Sequence, residues 1–181
     1  HRVTDDPVEI ARATRIIIPG VGAFGDGMRK LNRAKLVEPI QEAAKRGAWV
    51  LGICLGMQFL VESSEEFGIH QGLALLSGRV RRLSTKGSSR VPNVGWRRLQ
   101  PTANSFLSDL DPQTMMYFVH SFAVQTDFKE NVSVTIRFND EDIPAVIRRD
   151  NVIGYQFHPE KSGPAGLALI QRFLQVSCKG K

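Results

Sequence analysis

The chain has 181 residues, 42% of them apolar and 23% charged, which suits one well-cored domain and excludes a collagen-like, low-complexity or wholly disordered polymer. No run approaches the roughly 18 apolar residues of a membrane span, and the opening HRVTDDPVEI carries no signal-peptide pattern. Two cysteines, Cys54 and Cys178, exclude a disulfide scaffold and a four-cysteine zinc site, and a net charge of +6 admits anionic ligands without requiring them.

In chain order, Asp5 or Asp6 caps a short helix over residues 7–13. The β-branched run at 15–19 ends in Pro-Gly and reads as a buried strand, followed by a tight loop at Gly20-Val21-Gly22. Residues 26–33 and 34–46 carry helical spacing, the second with Leu36, Ile40 and Ala44 on one face. Residues 48–53 form a second buried strand, and 55–61 return to helix. Buried strands alternating with amphipathic helices predict a parallel sheet covered on both faces.

The second half reads differently. Strand signals follow one another at 79–83, 95–99, 115–119, Val132–Phe138, 145–149 and 152–157. Turn pairs Asn139-Asp140 and Asp150-Asn151 predict antiparallel neighbours. A last helix over 164–176 opens on Pro164 and places Leu167, Ile170 and Leu174 on one face. Between 79 and 98 lie Arg79, Arg81, Arg82, Lys86, Arg90, Arg97 and Arg98 with no acid. That stretch is either a solvated loop with basic flanks or a face for an anionic ligand or acidic partner. With one aromatic, Trp96, and no nucleic-acid motif, it predicts no nucleic-acid partner.

The chemistry concentrates at two places. Gly52-Ile53-Cys54-Leu55-Gly56 joins a strand end to a helix start, the cysteine form of a nucleophile elbow. Small residues two before and two after let strand and helix pass closely. The helix start favours thiolate, and the Leu55 N–H is placed to hold a developing oxyanion. A cysteine nucleophile needs a base and the base an orienting acid. His158-Pro159-Glu160, just after a strand, supplies both from one side of an extended segment. His1 is terminal, His70 lies in a polar loop, and His120 can line the site but has no adjacent acid. Pro19-Gly20-Val21-Gly22 ends a strand on the same sheet edge, where ligands of open α/β sheets bind.

These segments together resemble the class I (triad-type) glutamine amidotransferases. Gly52-Ile-Cys-Leu-Gly-Met-Gln58 and Gln156-Phe-His-Pro-Glu160 match that class's two signatures in spacing and order. Pro19-Gly-Val-Gly-Ala-Phe-Gly25, Glu62-Ser-Ser-Glu-Glu66, Pro92-Asn-Val-Gly-Trp96, Tyr117-Phe-Val-His-Ser121 and His158-Pro-Glu-Lys-Ser162 are similar to the branch that serves as glutaminase of imidazole glycerol phosphate synthases. The resemblance implies an α/β, flavodoxin-like, mostly parallel open sheet with flanking helices and an antiparallel extension in the second half.

It further implies that Cys54 attacks glutamine, that His158 shuttles protons and that Glu160 orients it. Leu55, Val21 and Gly22 would hold the oxyanion, and Gly20, Gln58, Ser121 and Phe122 the substrate. Ammonia would pass to a (β/α)8 cyclase/synthase subunit in a cytoplasmic heterodimer, with Trp96, Tyr117 and Lys161 near the interface. No cofactor, metal or membrane is implied. Two departures stand out. Arg97 follows the Gly-Trp pair where the family has Asn, and nothing matches the family's first strand and helix with its Asp-Tyr-Gly-x-Gly-Asn-like motif. Residues 1–181 are therefore expected to be a single amidotransferase domain lacking that strand and helix. An amidotransferase feeding a sugar-nucleotide synthase and a stand-alone γ-glutamyl hydrolase remain as alternatives.

Overall fold

The computed structural model describes residues 1–87, 90–103 and 105–176, so Cys178 lies outside the described residues. Its first half contains α1 (Pro7–Arg12), β1 (Arg15–Gly20), α2 (Phe24–Arg33), α3 (Val37–Lys45), β2 (Trp49–Cys54) and α4 (Leu55–Phe59). Two-residue strands β3 (Ser63–Ser64) and β4 (His70–Gln71) and the longer β5 (Arg79–Arg82) follow. The second half contains β6 (Asn93–Arg98), β7 (Gln100–Pro101), β8 (Met115–His120), β9 (Phe122–Gln125), β10 (Val132–Phe138), β11 (Glu141–Arg149), β12 (Val152–Tyr155) and α5 (Gly163–Gln175).

Among the described residues the main sheet runs β1-β2-β12-β11-β10-β7. Strands β1, β2 and β12 are parallel, and β11, β10 and β7 extend them antiparallel. The hairpin turns fall at Asn139 and Asp150, both at positive φ, which these two residue types tolerate. A separate small sheet runs β4-β3-β5-β9, and β6 pairs with β8 as a two-stranded ribbon.

Side-chain alternation divides the core between the two faces of the main sheet. Ile16, Ile18 and Val50 join Phe24 and Met28 of α2, Ile40 of α3 and Met57 of α4. Trp49, Leu51, Ile153 and Tyr155 point the other way, to Phe118 of β8 and to Leu169 and Phe173 of α5. The predicted face of α3 is buried, as its spacing requires. On α5 the outcome is reversed: Leu167 and Leu174 are about half exposed, and Leu169 and Phe173 are buried. Apolar residues lie on two overlapping stripes of that helix, and the stripe carrying the aromatic ring removes more area from water. Strand β9 was hidden in the sequence because only the bend at Ser121 parts it from β8.

The close contact at the end of β2 depends on missing side chains. A Cβ on Gly56 would sit 1.7 Å from the Ile18 carbonyl oxygen, and one on Gly52 would sit 2.4 Å from the Gly56 oxygen. Neither obstacle is a flexible side chain, so α4 rests directly on the backbones of β1 and β2. Replacing Gly56 by Ala is expected to destabilise the fold by at least the ~3 kcal/mol upper range of ordinary overpacking. Chemical unfolding of the two proteins measures this, and a midpoint equal to the parent's would contradict the contact.

Candidate active site

The parallel strands deliver the chemistry to one edge. Gly20 at the end of β1 is paired with Cys54 at the end of β2, and the segment after β12 carries Gln156 and His158. Cys54 is the N-cap of α4 at φ 53° and ψ −108°. A non-glycine residue in that region is strained, and the glycine contacts hold it there.

His158 is fixed through its backbone. Its N–H donates to the Tyr117 carbonyl at 2.9 Å, and its carbonyl accepts from Ser162 Oγ at 2.6 Å. Ser162 Oγ in turn accepts from the Tyr117 N–H at 3.0 Å, tying β8 to this turn. The single helical turn Pro159–Lys161 brings Glu160 Oε1 to 2.7 Å from His158 Nδ1. The other ring nitrogen, Nε2, is buried and has no hydrogen-bond partner among the described residues.

Cys54 and His158 line one cavity of about 430 Å³. Its floor includes Leu55 and Gln58, and its walls Val21, Gly22, Ser121 and Phe122. Of the expected substrate residues, Gly20 stands apart. It lines a second hollow of about 320 Å³ that reaches His158 and Glu160 from the side of Ile170. Gly20 also packs against Leu55, where a Cβ would meet Leu55 Cβ at 3.0 Å. Lys161 is exposed at the main cavity. Trp96 and Tyr117 face each other across β6 and β8 with ring centroids 6.0 Å apart. They share the ribbon's outer face with Val94 and Val119, and Val94, Trp96 and Val119 are exposed.

Two candidates, Glu66 and Gln156, carry no role in the sequence reading. Glu66 lines the cavity from the loop after β3, and its carboxylate accepts from the Phe24 N–H at 2.7 Å. Nothing in its local pattern separates it from Glu65. Gln156 approaches Cys54, with Nε2 3.9 Å from Sγ, and its Oε1 accepts from Gln58 Nε2 at 3.2 Å. Gln58 Nε2 also donates to the Phe122 carbonyl at 2.9 Å. His120 is buried at the cavity wall, with Nδ1 2.9 Å from that same carbonyl and Nε2 2.9 Å from Asn93 Nδ2. The sequence allows it to line the site, but its partner Asn93 lies 27 residues away on another strand.

Burial governs the electrostatics. It pushes the Cys54 thiol up to about 11, and the Glu160 carboxylate adds to the rise. The Leu55 N–H, Lys161 and Gln156 pull the other way and are outweighed. The expectation that the helix start favours thiolate is corrected accordingly: the Leu55 N–H lowers the thiol, and burial outweighs it. Burial also pushes His120 down to about 4, with His158 and Arg97 contributing in the same direction. Among the described residues no His, Cys, Asp or Glu cluster suits a metal ion, and no helix is long and apolar enough to cross a membrane.

Residues 2–176 match the family profile described as glutamine amidotransferase class-I. A Legionella pneumophila (strain Lens) protein, imidazole glycerol phosphate synthase subunit HisH 1, is 41% identical over 181 aligned residues, covering 94% of this chain and 84% of the relative. The subunit HisH of Oceanobacillus iheyensis is 44% identical, covering 96% of this chain and 86% of its own length. A solved glutamine amidotransferase superposes with a TM-score of 0.67 at 18% identity, over 95% of this chain and 83% of that one. The structure of PurLQS from Thermotoga maritima gives 0.66 at 23% identity, over 89% and 78% respectively. At those identities the two structures speak for the fold alone.

A neutral buried thiol dictates how Cys54 reacts with a small alkylating agent. In the isolated chain, iodoacetamide labelling of Cys54 is expected to rise about tenfold per pH unit from pH 7 to about 9.5 without levelling. A plateau near neutral pH would reveal a thiolate and overturn this account.

Proposed function

Because this chain belongs to the class-I glutamine amidotransferase family, we propose that it is the glutaminase subunit of an imidazole glycerol phosphate synthase. The observation that carries the reading is the convergence of Cys54 and His158 on one cavity at the ends of three parallel strands, with Glu160 held on His158 Nδ1. The relatives bearing the HisH name favour this synthase over a sugar-nucleotide synthase or a stand-alone γ-glutamyl hydrolase.

The chemistry follows from the groups present. His158 Nε2 takes the thiol proton as Cys54 Sγ attacks the side-chain carboxamide carbon of glutamine. Glu160 holds Nδ1–H, fixing the tautomer that leaves Nε2 free to accept, and stabilises the imidazolium. Proton transfer and attack go together, because burial makes a free thiolate costly here. The oxyanion of the tetrahedral intermediate accepts from Leu55 N–H and from the Val21 and Gly22 loop, whose exposed peptide turns inward for the purpose. His158 then protonates the leaving nitrogen, ammonia departs, and a thioester remains. Water, deprotonated by His158, hydrolyses it to glutamate and restores the thiol.

Gln58, Ser121 and Phe122 hold the substrate beside the nucleophile. Glu66, a carboxylate on the same cavity, receives the α-ammonium of glutamine, a charge-assisted bond that a neutral γ-amide alone would not need. Ammonia passes to a (β/α)8 synthase subunit docked on the outer face of the β6–β8 ribbon around Trp96 and Tyr117, with Lys161 beside it. The heterodimer is cytoplasmic, a setting that keeps the Cys54 thiol reduced.

The central test is a glutaminase assay on the chain alone and with the synthase encoded beside it plus that synthase's ribotide ligand. Strong stimulation is expected, and full turnover by the chain alone would refute the coupling. In the complex, Cys54→Ala is expected to abolish glutamine-dependent synthesis and leave ammonia-dependent synthesis intact. Glu66→Gln is expected to raise KM for glutamine about tenfold or more, the order of one lost bond to a charged group. An unchanged KM would remove Glu66 from the binding site.

A further inference from the structure

We propose that Arg97, Asn93 and His120 are positioning residues for the glutaminase reaction, forming an ordered relay that holds the Phe122 carbonyl and through it Gln58 and Gln156 against Cys54. The proposal rests on the glutaminase reading above. Arg97 and Asn93 act through other groups, whereas the end of the relay meets the thiol.

Its directions are set by two groups with fixed roles: the Arg97 guanidinium only donates, and the Phe122 carbonyl only accepts. Arg97 Nε donates to Asn93 Oδ1 at 2.8 Å, so the buried amide must present its nitrogen to the other side. Asn93 Nδ2 therefore donates to His120 Nε2 at 2.9 Å. An accepting Nε2 carries no proton, which leaves the hydrogen on Nδ1 to be donated to the Phe122 carbonyl at 2.9 Å. That carbonyl also receives Gln58 Nε2 at 2.9 Å. Gln58 is thus turned with its nitrogen inward, and the same nitrogen donates to Gln156 Oε1 at 3.2 Å. Gln156 has only its own nitrogen left to point at Cys54 Sγ, 3.9 Å away.

Four groups in this series have two possible orientations, and each is decided by its neighbour. The amides of Asn93, Gln58 and Gln156 can flip, and the imidazole can exchange tautomers. The relay removes that freedom with two groups that have no choice of role, the Arg97 guanidinium and the Phe122 carbonyl. A neutral His120 is what the scheme demands, and its burial supplies it. The three residues also lie on the inner face of the ribbon: Asn93 is paired with His120, and Arg97 is two positions further along the same side of β6.

The test uses 15N-histidine-labelled protein and stimulated glutaminase kinetics with the synthase partner. In the parent, two-bond nitrogen–proton correlations are expected to show His120 as a single neutral Nδ1–H tautomer. In Arg97→Leu the Phe122 carbonyl still holds the Nδ1–H tautomer, the Asn93 Oδ1 is left buried without its donor, and kcat/KM for glutamine should fall about tenfold. At position 120, Asn places a donor where Nδ1 stands, whereas Gln places it near Nε2. His120→Asn is therefore expected to keep activity within about threefold, and His120→Gln and His120→Leu to lose about tenfold or more. Unfolding midpoints of the variants separate folding defects from positioning.

Mixed His120 tautomers in the parent, or parental kinetics in Arg97→Leu or His120→Leu, would overturn the relay. Equal losses in the Asn and Gln variants, tracking their midpoints, would reduce His120 to packing and overturn it as well. A parent complex with no glutamine turnover would refute the functional reading and with it the positioning claim, and the nitrogen spectra would still decide the ordering of the relay.

Discussion

Everything at the catalytic edge depends on a backbone-to-backbone contact. With a side chain at neither Gly52 nor Gly56, α4 can lie directly on β1 and β2, and the chain must turn sharply at Cys54 to enter it. The strain of that turn is borne by the buried sheet beneath, where Val50 and Leu51 are wholly enclosed. Lift the helix by the width of a methyl group and Leu55, Gln58 and the thiol all move with it. The nucleophile is therefore placed by the absence of atoms, and its precision is that of the parallel sheet.

The same burial that fixes Cys54 also raises its thiol. Desolvation outweighs the backbone N–H and the cations nearby, so the thiol keeps its proton. His158 stands ready with an unpartnered Nε2, yet the sulfur's bonded neighbours are Leu55 and Gln156. The proposed acid, base and nucleophile are all present, and among the described residues no hydrogen bond joins the last two. A glutaminase that hydrolysed its substrate without a recipient would waste ammonia, and a site in this condition suits one that waits for substrate and partner.

The sequence revealed those parts of the molecule whose determinants are local. The elbow, the His-Pro-Glu turn and the hairpins at Asn139 and Asp150 are written in consecutive residues, and so are the strands of the parallel core. What escaped was either short or remote. Strand β9 is four residues long and separated from β8 by one bend. The buried face of α5 was misjudged because apolar residues occupy two stripes, and only the sheet beneath chooses between them. Glu66 reaches the cavity from a loop whose position depends on β3, β4 and β5 pairing into a sheet that no two-residue strand announces. The thiol's ionisation was misjudged for a related reason: a helix start is visible in sequence, and the depth at which it is buried is not.

The β6–β8 ribbon shows what period-two geometry can keep apart. On β6, Val94 and Trp96 look outward while Asn93 and Arg97 look inward, each within a single residue of the other set. Surface and interior are thus interleaved in the chain yet insulated in space. Outward positions can be rewritten one at a time to suit a different neighbour, with the inward set untouched. An inserted or deleted residue is another matter, because a shift by one exchanges the two sets completely. The ribbon is permissive toward substitution and brittle toward changes of length, and its two six-residue strands have far more freedom in identity than in number.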